Sequence, residues 1–403
     1  MPRAQAALLA LLLSACSTTD QQIEALIEDL AAHPLGSPGW QTAVDELVDI
    51  GRPAARELVG HLDPDHYKGY FYREYRPEQE QIRTGAARAL GRIQPRGATA
   101  ALLARIVVGY TDAERIACMW AMGEIGFDQA GLDALRVQLK DANPVIRLHA
   151  AIAVTKMDES DGAGQIEAAL AGGDNALAAI ALQGLRESSY SGVPLLTRLV
   201  QEPGPRQAEL HNVLQAVREH LVVQLGAEDP LVRQRAARAL GRIGDSQSCR
   251  PLLALLDDGN NLVRFNAAAA LATMGAAGGI DFLFTALRDA DAILRANAVR
   301  FLIQVQESSG AVSEQLVTAL RDPNPLARAG AAQVLGEARV QDAVQALLEA
   351  AADADPAVRS TAAIALGQIR APESRARLLE MLLDSSPTVS YYAQWALLQL
   401  GQG

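Results

Sequence analysis

The stretch from His61 to His66 holds the residues of this 403-residue chain whose types and spacing come nearest to a metal site. Its sequence, HLDPDH, places two imidazoles and two carboxylates together, at His61, Asp63, Asp65 and His66. Both groups are common metal ligands. A solvated loop explains the same residues more simply, because acidic loops recur along the chain. We therefore expect no metal, no other cofactor and no catalytic residue here.

A second unusual stretch overlaps the first. The segment from Asp65 to Pro77 reads DHYKGYFYREYRP, whereas the whole chain is only 4% aromatic. Tyrosine with arginine is the composition of protein-binding hot spots. The candidates for partner binding are Tyr67, Tyr70, Phe71, Tyr72, Arg73, Tyr75 and Arg76. Such a patch would fit a partner protein or an envelope glycan. We favour a loop whose rings cover the N-terminal end of the fold, and contact with a membrane interface is the third alternative.

The first fifteen residues have the layout of a secretory signal peptide. Arg3 precedes an apolar run, residues 6–13, that is too short to span a bilayer. The following Leu13-Ser14-Ala15-Cys16 resembles the lipobox of bacterial lipoproteins. The resemblance implies removal of residues 1–15, lipid attachment at Cys16 and a lipid-anchored protein of the cell envelope. Because Ser17 and not aspartate follows, it implies the outer membrane, facing the periplasm, in a Gram-negative cell.

The charge balance argues against nucleic acid as a partner. The formal net charge is −11, with 47 acidic residues against 36 lysines and arginines. Binding to a phosphate backbone needs clustered positive charge, which this composition does not favour. We expect a protein partner, with the lipid anchor as the contact to the membrane.

Internal repetition dominates the rest of the sequence. One arginine recurs at intervals of 31 to 33 residues, at Arg233, Arg264, Arg295, Arg328 and Arg359. The same phase appears upstream at Arg83, Arg115 and Arg147, and Trp40 takes the equivalent place in the first unit. We call these the marker residues. Two degenerate units, near Ala178 and Glu209, separate the two series.

Each repeat reads as a pair of helices. An Asn or Asp lies four residues before the marker and often precedes a proline, as in Asn143-Pro144, Asp229-Pro230, Asn324-Pro325 and Asp355-Pro356. Such a residue caps a helix, and proline fits the first helical position. Small apolar residues at helical spacing, a glycine turn and a leucine-rich second helix follow.

The motifs Asp-Pro-x-x-Val-Arg and Ala-Leu-Gly-x-Ile-Gly resemble the short HEAT-like repeats that also occur in phycobilisome lyases. The resemblance implies an all-α fold over residues 16–403, a right-handed α-solenoid of about eleven two-helix repeats. A lone capping helix is expected at about 387–400. From Trp40 to Arg83 the interval is 43 residues, so the aromatic segment, about 65–77, is an insertion.

The marker arginines are expected to be structural. Their stems lie on the apolar face of the first helix, so each charge needs a carboxylate partner. Acidic residues of the inter-repeat loops can provide it, at Asp257, Asp289, Asp322 and Asp353. We expect His149 to be a structural or surface histidine. Cys118 and Cys249 lie about four repeats apart, which is too far for a disulfide bond. We therefore expect both to be buried thiols.

Two classes of enzyme resemble this architecture. Deoxyhypusine hydroxylases hold a di-iron site with paired His-Glu dipeptides, whereas this chain has only the reversed Glu219-His220. Phycobilin lyases act on cytoplasmic phycobiliproteins, which an exported lipoprotein would not meet. The sequence therefore predicts a membrane-anchored, non-catalytic protein-binding scaffold. The alternative is an enzyme or enzyme accessory factor of the lyase or hydroxylase type, with a site near the aromatic insertion.

Overall fold

The computed structural model describes residues 18–62, 77–95, 97–108 and 111–401, and all regular elements within these ranges are helical. The chain divides into two compact units, residues 1–217 and residues 218–403. The sequence predicted one array of repeats over residues 16–403, and each of the two units contains such repeats.

The first unit begins with a helix at residues 18–32, α1, and continues as five helix pairs. The pairs are α2 (Pro38–Ile50) and α3 (Arg52–Leu62), α4 (Pro77–Ile93) and α5 (Thr99–Val108), α6 (Asp112–Ile125) and α7 (Gln129–Gln138), α8 (Pro144–Lys156) and α9 (Ala163–Ala171), and α10 (Asn175–Glu187) and α11 (Ser189–Gln201). The division between the units falls within α12 (Gln207–Gln224). The degenerate unit near Ala178 is thus a complete pair, whereas the one near Glu209 is a single helix.

The second unit continues the pairing from α13 onward. Its pairs are α13 (Pro230–Ile243) and α14 (Cys249–Ala254), α15 (Asn261–Thr273) and α16 (Ala277–Ala286), α17 (Ala292–Ser309) and α18 (Ser313–Ala319), α19 (Pro325–Glu337) and α20 (Val344–Ala350), and α21 (Pro356–Ile369) and α22 (Arg375–Met381). The last helix, α23 (Pro387–Leu400), packs on α21 and α22.

Within each unit the first helix of a pair packs against the first helix of the next pair. This holds for α4, α6 and α8 in the first unit and for α13, α15, α17, α19, α21 and α23 in the second. The second helices pack against the following first helix, as α5 does on α6 and α20 on α21. Helix pairs stacked in this way form an α-solenoid, so the predicted fold class is confirmed.

The predicted helix starts are also confirmed. Asn143, Asp229, Asn324 and Asp355 each accept a hydrogen bond from the backbone N–H two residues ahead, at 2.8–2.9 Å, and proline occupies the first position of each helix. A side chain at this position satisfies one of the helix N–H groups that has no partner within the helix. These caps fix the phase of every first helix relative to its loop.

The glycine of the Ala-Leu-Gly motif allows neighbouring first helices to pack closely. A Cβ atom on Gly336 would lie 2.5 Å from the Cα of Ala365, and one on Gly367 would lie 2.8 Å from the Cα of Ala396. The same contact recurs at Gly91 and Gly241. A methyl group at these positions would therefore force the two backbones apart.

The marker arginines connect consecutive loops. Arg328 donates through Nη1 to two backbone carbonyls of the preceding loop, at 2.8 and 3.2 Å. Its Nε and Nη2 donate to both carboxylate oxygens of Asp353, in the next loop, at 2.7 and 2.8 Å. Asp353 also accepts the N–H of Asp355 at 2.8 Å, which orients the following helix cap. The same arrangement joins Arg233 to Asp258 and Arg359 to Asp384.

The Arg–Asp ladder is therefore present at Arg233, Arg328 and Arg359. The sequence named Asp257 among the loop carboxylates that could pair with the markers, but the neighbouring Asp258 accepts the two bonds of Arg233, at 2.8 and 3.0 Å. The donated bonds from Arg233 lower the pKa of Asp258 below its ordinary value despite partial burial. Asp258 lies 25 residues after its marker, as Asp353 lies after Arg328. Asp384 has the same offset from Arg359, so the three pairs share one arrangement.

Two markers of the second unit lack such a partner in the described part of the chain. Arg295 donates to two carbonyls of the preceding loop, at 2.7 and 2.8 Å, and Arg264 to one carbonyl at 2.7 Å and to Asn261. Asp322 instead accepts from Arg288, at 2.6 and 3.0 Å. The interval between the markers Arg295 and Arg328 is longer than the others, so Asp322 lies more than 25 residues after Arg295 and does not pair with it. Asp289 has the required offset from Arg264, but its carboxylate accepts the N–H of Asp291 and no bond from Arg264. The predicted roles of Asp289 and Asp322 as partners of marker arginines are therefore wrong.

The first unit uses more varied marker contacts. Arg83 pairs with the buried Glu114 at 3.2 Å, Arg115 pairs with Asp141, and Trp40 donates through Nε1 to a backbone carbonyl at 3.1 Å. The Arg83 and Glu114 side chains are only 7% and 2% exposed. A buried ion pair of this kind fixes the register between α4 and α6.

Candidate binding site on the first helices of the first unit

Two of the sites predicted from the sequence lie outside the described residues. These are the lipid-attachment residue, Cys16, and the aromatic segment with Tyr67, Tyr70, Phe71, Tyr72, Arg73, Tyr75 and Arg76. Asp63, Asp65 and His66 also lie there, whereas His61 is the penultimate residue of α3. Over the ranges that the structure covers, no three His, Cys, Asp or Glu side chains are placed to hold a metal ion.

The structure brings together a different set of residues. Arg88, Trp120, Glu124, His149, Lys156 and Glu187 come from four consecutive first helices, α4, α6, α8 and α10. We call this set the Trp120 cluster. Trp120 lies at its centre, with the Cζ of Arg88 at 4.6 Å and the Nζ of Lys156 at 5.4 Å from the indole centroid. Cations at these distances are attracted to the face of the indole ring.

Glu187 connects the far side of the cluster to the indole. Its carboxylate accepts bonds from Trp120 Nε1 at 3.3 Å, from Lys156 Nζ at 3.4 Å and from Gln183 Nε2 at 2.7 Å. Burial raises the pKa of Glu187, but the bonds from these donors together lower it by more. The pKa of Glu187 therefore lies below its ordinary value. Lys156 also pairs with Glu124, and its side chain is only 5% exposed. The Glu187 carboxylate is therefore ionised at neutral pH and held by donors.

Burial determines the charge state of the histidine. It lowers the pKa of His149 to about 4, and the positive charge of Arg88 adds to this effect. Burial also lowers the pKa of Arg88, against the nearby charges of Glu187 and Glu124, but a guanidinium stays charged in proteins. At pH 7 the cluster thus contains two cations, two carboxylates, a neutral imidazole and an indole. Such groups can bind a partner through charge and stacking.

The repeat phase explains this convergence. Arg88 and Trp120 are the fifth residues after their markers, and Glu124 and Lys156 are the ninth. Positions separated by four residues lie on one face of a helix. Trp120 bonds to Glu187 across the intervening α8, so this face must bring α6 and α10 close together. The fold needs none of these side chains for its caps or its ladder.

Sequence reasoning missed this cluster. It took His149 to be a structural or surface residue, although the structure places it, partly buried, near the charges of Arg88, Lys156 and Glu187. The available signal was Trp120, one of only three tryptophans in the chain, followed by charged residues at equal repeat phase. What the sequence did not supply was the curvature that brings the four helices together.

The two cysteines of the described ranges are free thiols. Cys118 is buried, and burial together with the negative charge of Glu114 raises the pKa of its thiol strongly. Cys249 is only partly buried, so the prediction of a fully buried thiol holds for Cys118 alone. A buried thiol of raised pKa is a poor nucleophile.

The sequence profile of HEAT repeats matches residues 218–303 and 313–398. Both segments lie in the second unit, the first from α12 to α17 and the second from α18 to α23. The chain is therefore an all-α protein that contains HEAT repeats. No curated protein matches the sequence.

Solved structures with a similar arrangement come from several proteins. A Kap121p mutant is 12% identical with a TM-score of 0.39, and the match covers 94% of this chain and 45% of that one. This chain therefore spans less than half the length of Kap121p. An engineered protein is 20% identical with a TM-score of 0.31 over 95% and 99% of the two chains. Human deoxyhypusine hydroxylase in complex with glycerol is 19% identical with a TM-score of 0.26 over 76% and 96%.

None of the helices in the described ranges combines the length and the apolar character that a membrane span requires.

Proposed function

We propose that this protein is a non-catalytic protein-binding scaffold of the cell envelope, held at a membrane by lipid on Cys16. The observation that carries the binding role is the Trp120 cluster. Four helices contribute charged and aromatic side chains to one place. Aromatic and arginine side chains are the groups that most often dominate protein interfaces.

The solenoid supports this role because its first helices are held in fixed phase. The helix caps, the glycine contacts and the marker arginines position each first helix relative to the next. A partner would meet a preorganised surface, which lowers the entropy lost on binding. The aromatic segment with Tyr67, Tyr70 and Tyr72 is a second proposed contact, for a protein or an envelope glycan.

Chemical crosslinking in intact cells, followed by mass spectrometry, tests the binding role. We expect Arg88→Ala to lose at least one crosslinked partner of the wild-type protein. Arg238→Ala is the matched control, because Arg238 is also the fifth residue after its marker but lies exposed on α13. If both variants keep all wild-type crosslinks, the cluster is not a binding position. A variant lacking residues 67–75 tests the aromatic segment in the same way.

The proposed anchor rests on the lipobox-like Leu13-Ser14-Ala15-Cys16 and the signal-like residues before it. A protein with two or more acyl chains stays bound to a membrane, whereas one without them does not. We expect Cys16→Ala to move the protein from the membrane fraction to the soluble fraction and to abolish labelling with a fatty-acid analogue. Membrane fractionation that is unchanged in this variant would disprove the anchor without touching the binding role.

A further inference from the structure

Arg88 differs from the other cations of its surroundings in having no hydrogen-bond acceptor. Lys156 pairs with Glu124 and Glu187, and the adjacent Arg92 pairs with Asp45. Among residues 18–62, 77–95, 97–108 and 111–401, none accepts a hydrogen bond from the Arg88 guanidinium. Its position is partly buried, and no Arg88 nitrogen is among the buried unpaired side-chain atoms of the described residues, so the guanidinium is open to solvent and to a ligand. A carboxylate that displaces this water forms charge-assisted hydrogen bonds, which are stronger than neutral ones.

The geometry of Arg88 suits a planar acceptor. Its Cζ lies 4.6 Å from the centroid of the Trp120 ring, so the indole supports one side of the guanidinium. A guanidinium carries its five N–H groups in its own plane, where a carboxylate can accept two of them in parallel. Because the ring restricts the side chain, less rotamer freedom is lost when such a pair forms.

The charges around Arg88 favour a monoanion. Glu124 and Glu187 already balance the charges of Arg88 and Lys156, and His149 is neutral at pH 7. A single added carboxylate would meet a site of zero net charge. A phosphate dianion would bring twice the charge close to two fixed carboxylates, which opposes its binding at short range.

From these three observations we infer that Arg88, supported by Trp120, binds a carboxylate on an acidic side chain of a partner polypeptide. The inference rests on the proposed function, because it names the chemistry that the partner presents to the Trp120 cluster. Trp120 positions the guanidinium and packs against the partner chain. The carboxylates of the cluster reject a second negative charge.

Fluorescence anisotropy of a labelled peptide tests the inference directly. The probe is a short peptide with three glutamates separated by glycines, and its twin carries glutamine in place of each glutamate. Each is titrated with the full chain carrying Cys16→Ala, in this background alone and combined with Arg88→Ala, Arg88→Lys or Arg238→Ala. We expect the glutamate peptide to bind at least tenfold more tightly than its twin. Arg88→Ala should remove this preference, Arg88→Lys should retain part of it, and Arg238→Ala should leave it unchanged.

Several outcomes would overturn the inference. These are no preference for the glutamate peptide, an equal loss in the Arg88→Ala and Arg238→Ala variants, or displacement of the peptide by inorganic phosphate at lower concentration than by unlabelled peptide. Circular dichroism checks that each variant is folded, and if Arg88→Ala is not, Arg88→Lys decides the result. If the peptide does not bind but the cellular crosslinks still depend on Arg88, the carboxylate inference fails and the proposed function stands. If the peptide binds with the expected preference but Arg88→Ala leaves the cellular crosslinks unchanged, the carboxylate inference stands and the proposed binding role of the cluster fails.

Discussion

The bond between Arg328 and Asp353 gives the sharpest test of the ladder that holds the repeats in phase. Both side chains are mostly buried, at 15% and 12% exposure, and the contact has two hydrogen bonds of 2.7 and 2.8 Å. Exposed pairs contribute about 0–1 kcal/mol, and breaking a fully buried pair costs about 3–5 kcal/mol. We therefore expect a coupling energy of about 1.5 kcal/mol for this intermediate pair.

Arg295 provides a matched control within the same unit. It makes the two carbonyl bonds that Arg328 also makes, but no carboxylate of the described chain accepts from it. Arg295→Ala should thus cost only the two carbonyl bonds, about 1–2 kcal/mol. Arg328→Ala should cost about 3 kcal/mol, because the carboxylate contact is lost as well.

The assay is a double-mutant cycle with Arg328→Ala, Asp353→Asn and the double variant, measured by urea unfolding at pH 7. Hydrogen exchange of the α19 and α21 amides localises the effect, because repeat arrays do not always unfold in one step. Burial raises the pKa of Asp353, but the bonds from Arg328 and the Asp355 N–H lower it more, to below its ordinary 3.8. The coupling should be complete above the unfolded pKa of about 3.9 and disappear as the pH falls through the folded value. A coupling below about 0.3 kcal/mol at pH 7, near the usual error of additivity, would refute the ladder as a source of stability.

Three further predictions concern other parts of the fold. The pKa of His149 is about 4 when folded against 6.5 as its ordinary value, so folding loses stability as the pH falls from 6.5 to about 4. In urea unfolding, His149→Gln should gain about 3 kcal/mol relative to the wild type between pH 7 and pH 4, and a pH-independent difference would contradict the neutral buried state. Glu114→Gln should destabilise by about 3–5 kcal/mol in thermal unfolding, because it leaves the buried Arg83 without its carboxylate; a loss under about 1 kcal/mol would show that the pair is solvated. Gly336→Ala should destabilise by about 1–3 kcal/mol in the same assay, whereas Gly164→Ala, which has open space around it, should be neutral or stabilising, and equal effects would refute the close contact between α19 and α21.

The sequence predicted best those features that depend on interactions between residues close together in the chain. The caps at Asp229 and Asn324 were predictable because the capping bond spans only two residues, and the helical phase of Arg328 followed from its spacing to neighbouring alanines. The sequence named Asp257 among the possible partners but not the neighbouring Asp258, because the spacing pattern alone does not show which of two adjacent loop carboxylates faces the guanidinium. Local rules therefore predicted the elements but not all the contacts between them.

The candidate site depends on geometry of a longer range. Trp120 and Glu187 are 67 residues apart and bond across an intervening helix. No spacing rule joins them, because the distance between α6 and α10 depends on how strongly the stack bends. The sequence did not place His149 in this cluster, because the contacts that bring it there are also long-range. Its pKa is lowered by burial and by the charge of Arg88, which lies two first helices away.

The position of the Trp120 cluster follows from the different roles of the positions along each first helix. The residues at the marker, and six and eight positions after it, serve the ladder and the close helix contacts, so the fold restricts them. The fifth positions of the second unit vary, from the exposed Arg238 and Gln333 to the buried Ala269. Arg88 and Trp120 occupy the same positions in the first unit, where four helices converge. Trp120 also packs against the core, so Arg88 is the residue whose replacement by alanine, with the exposed Arg238→Ala as control, separates recognition from folding.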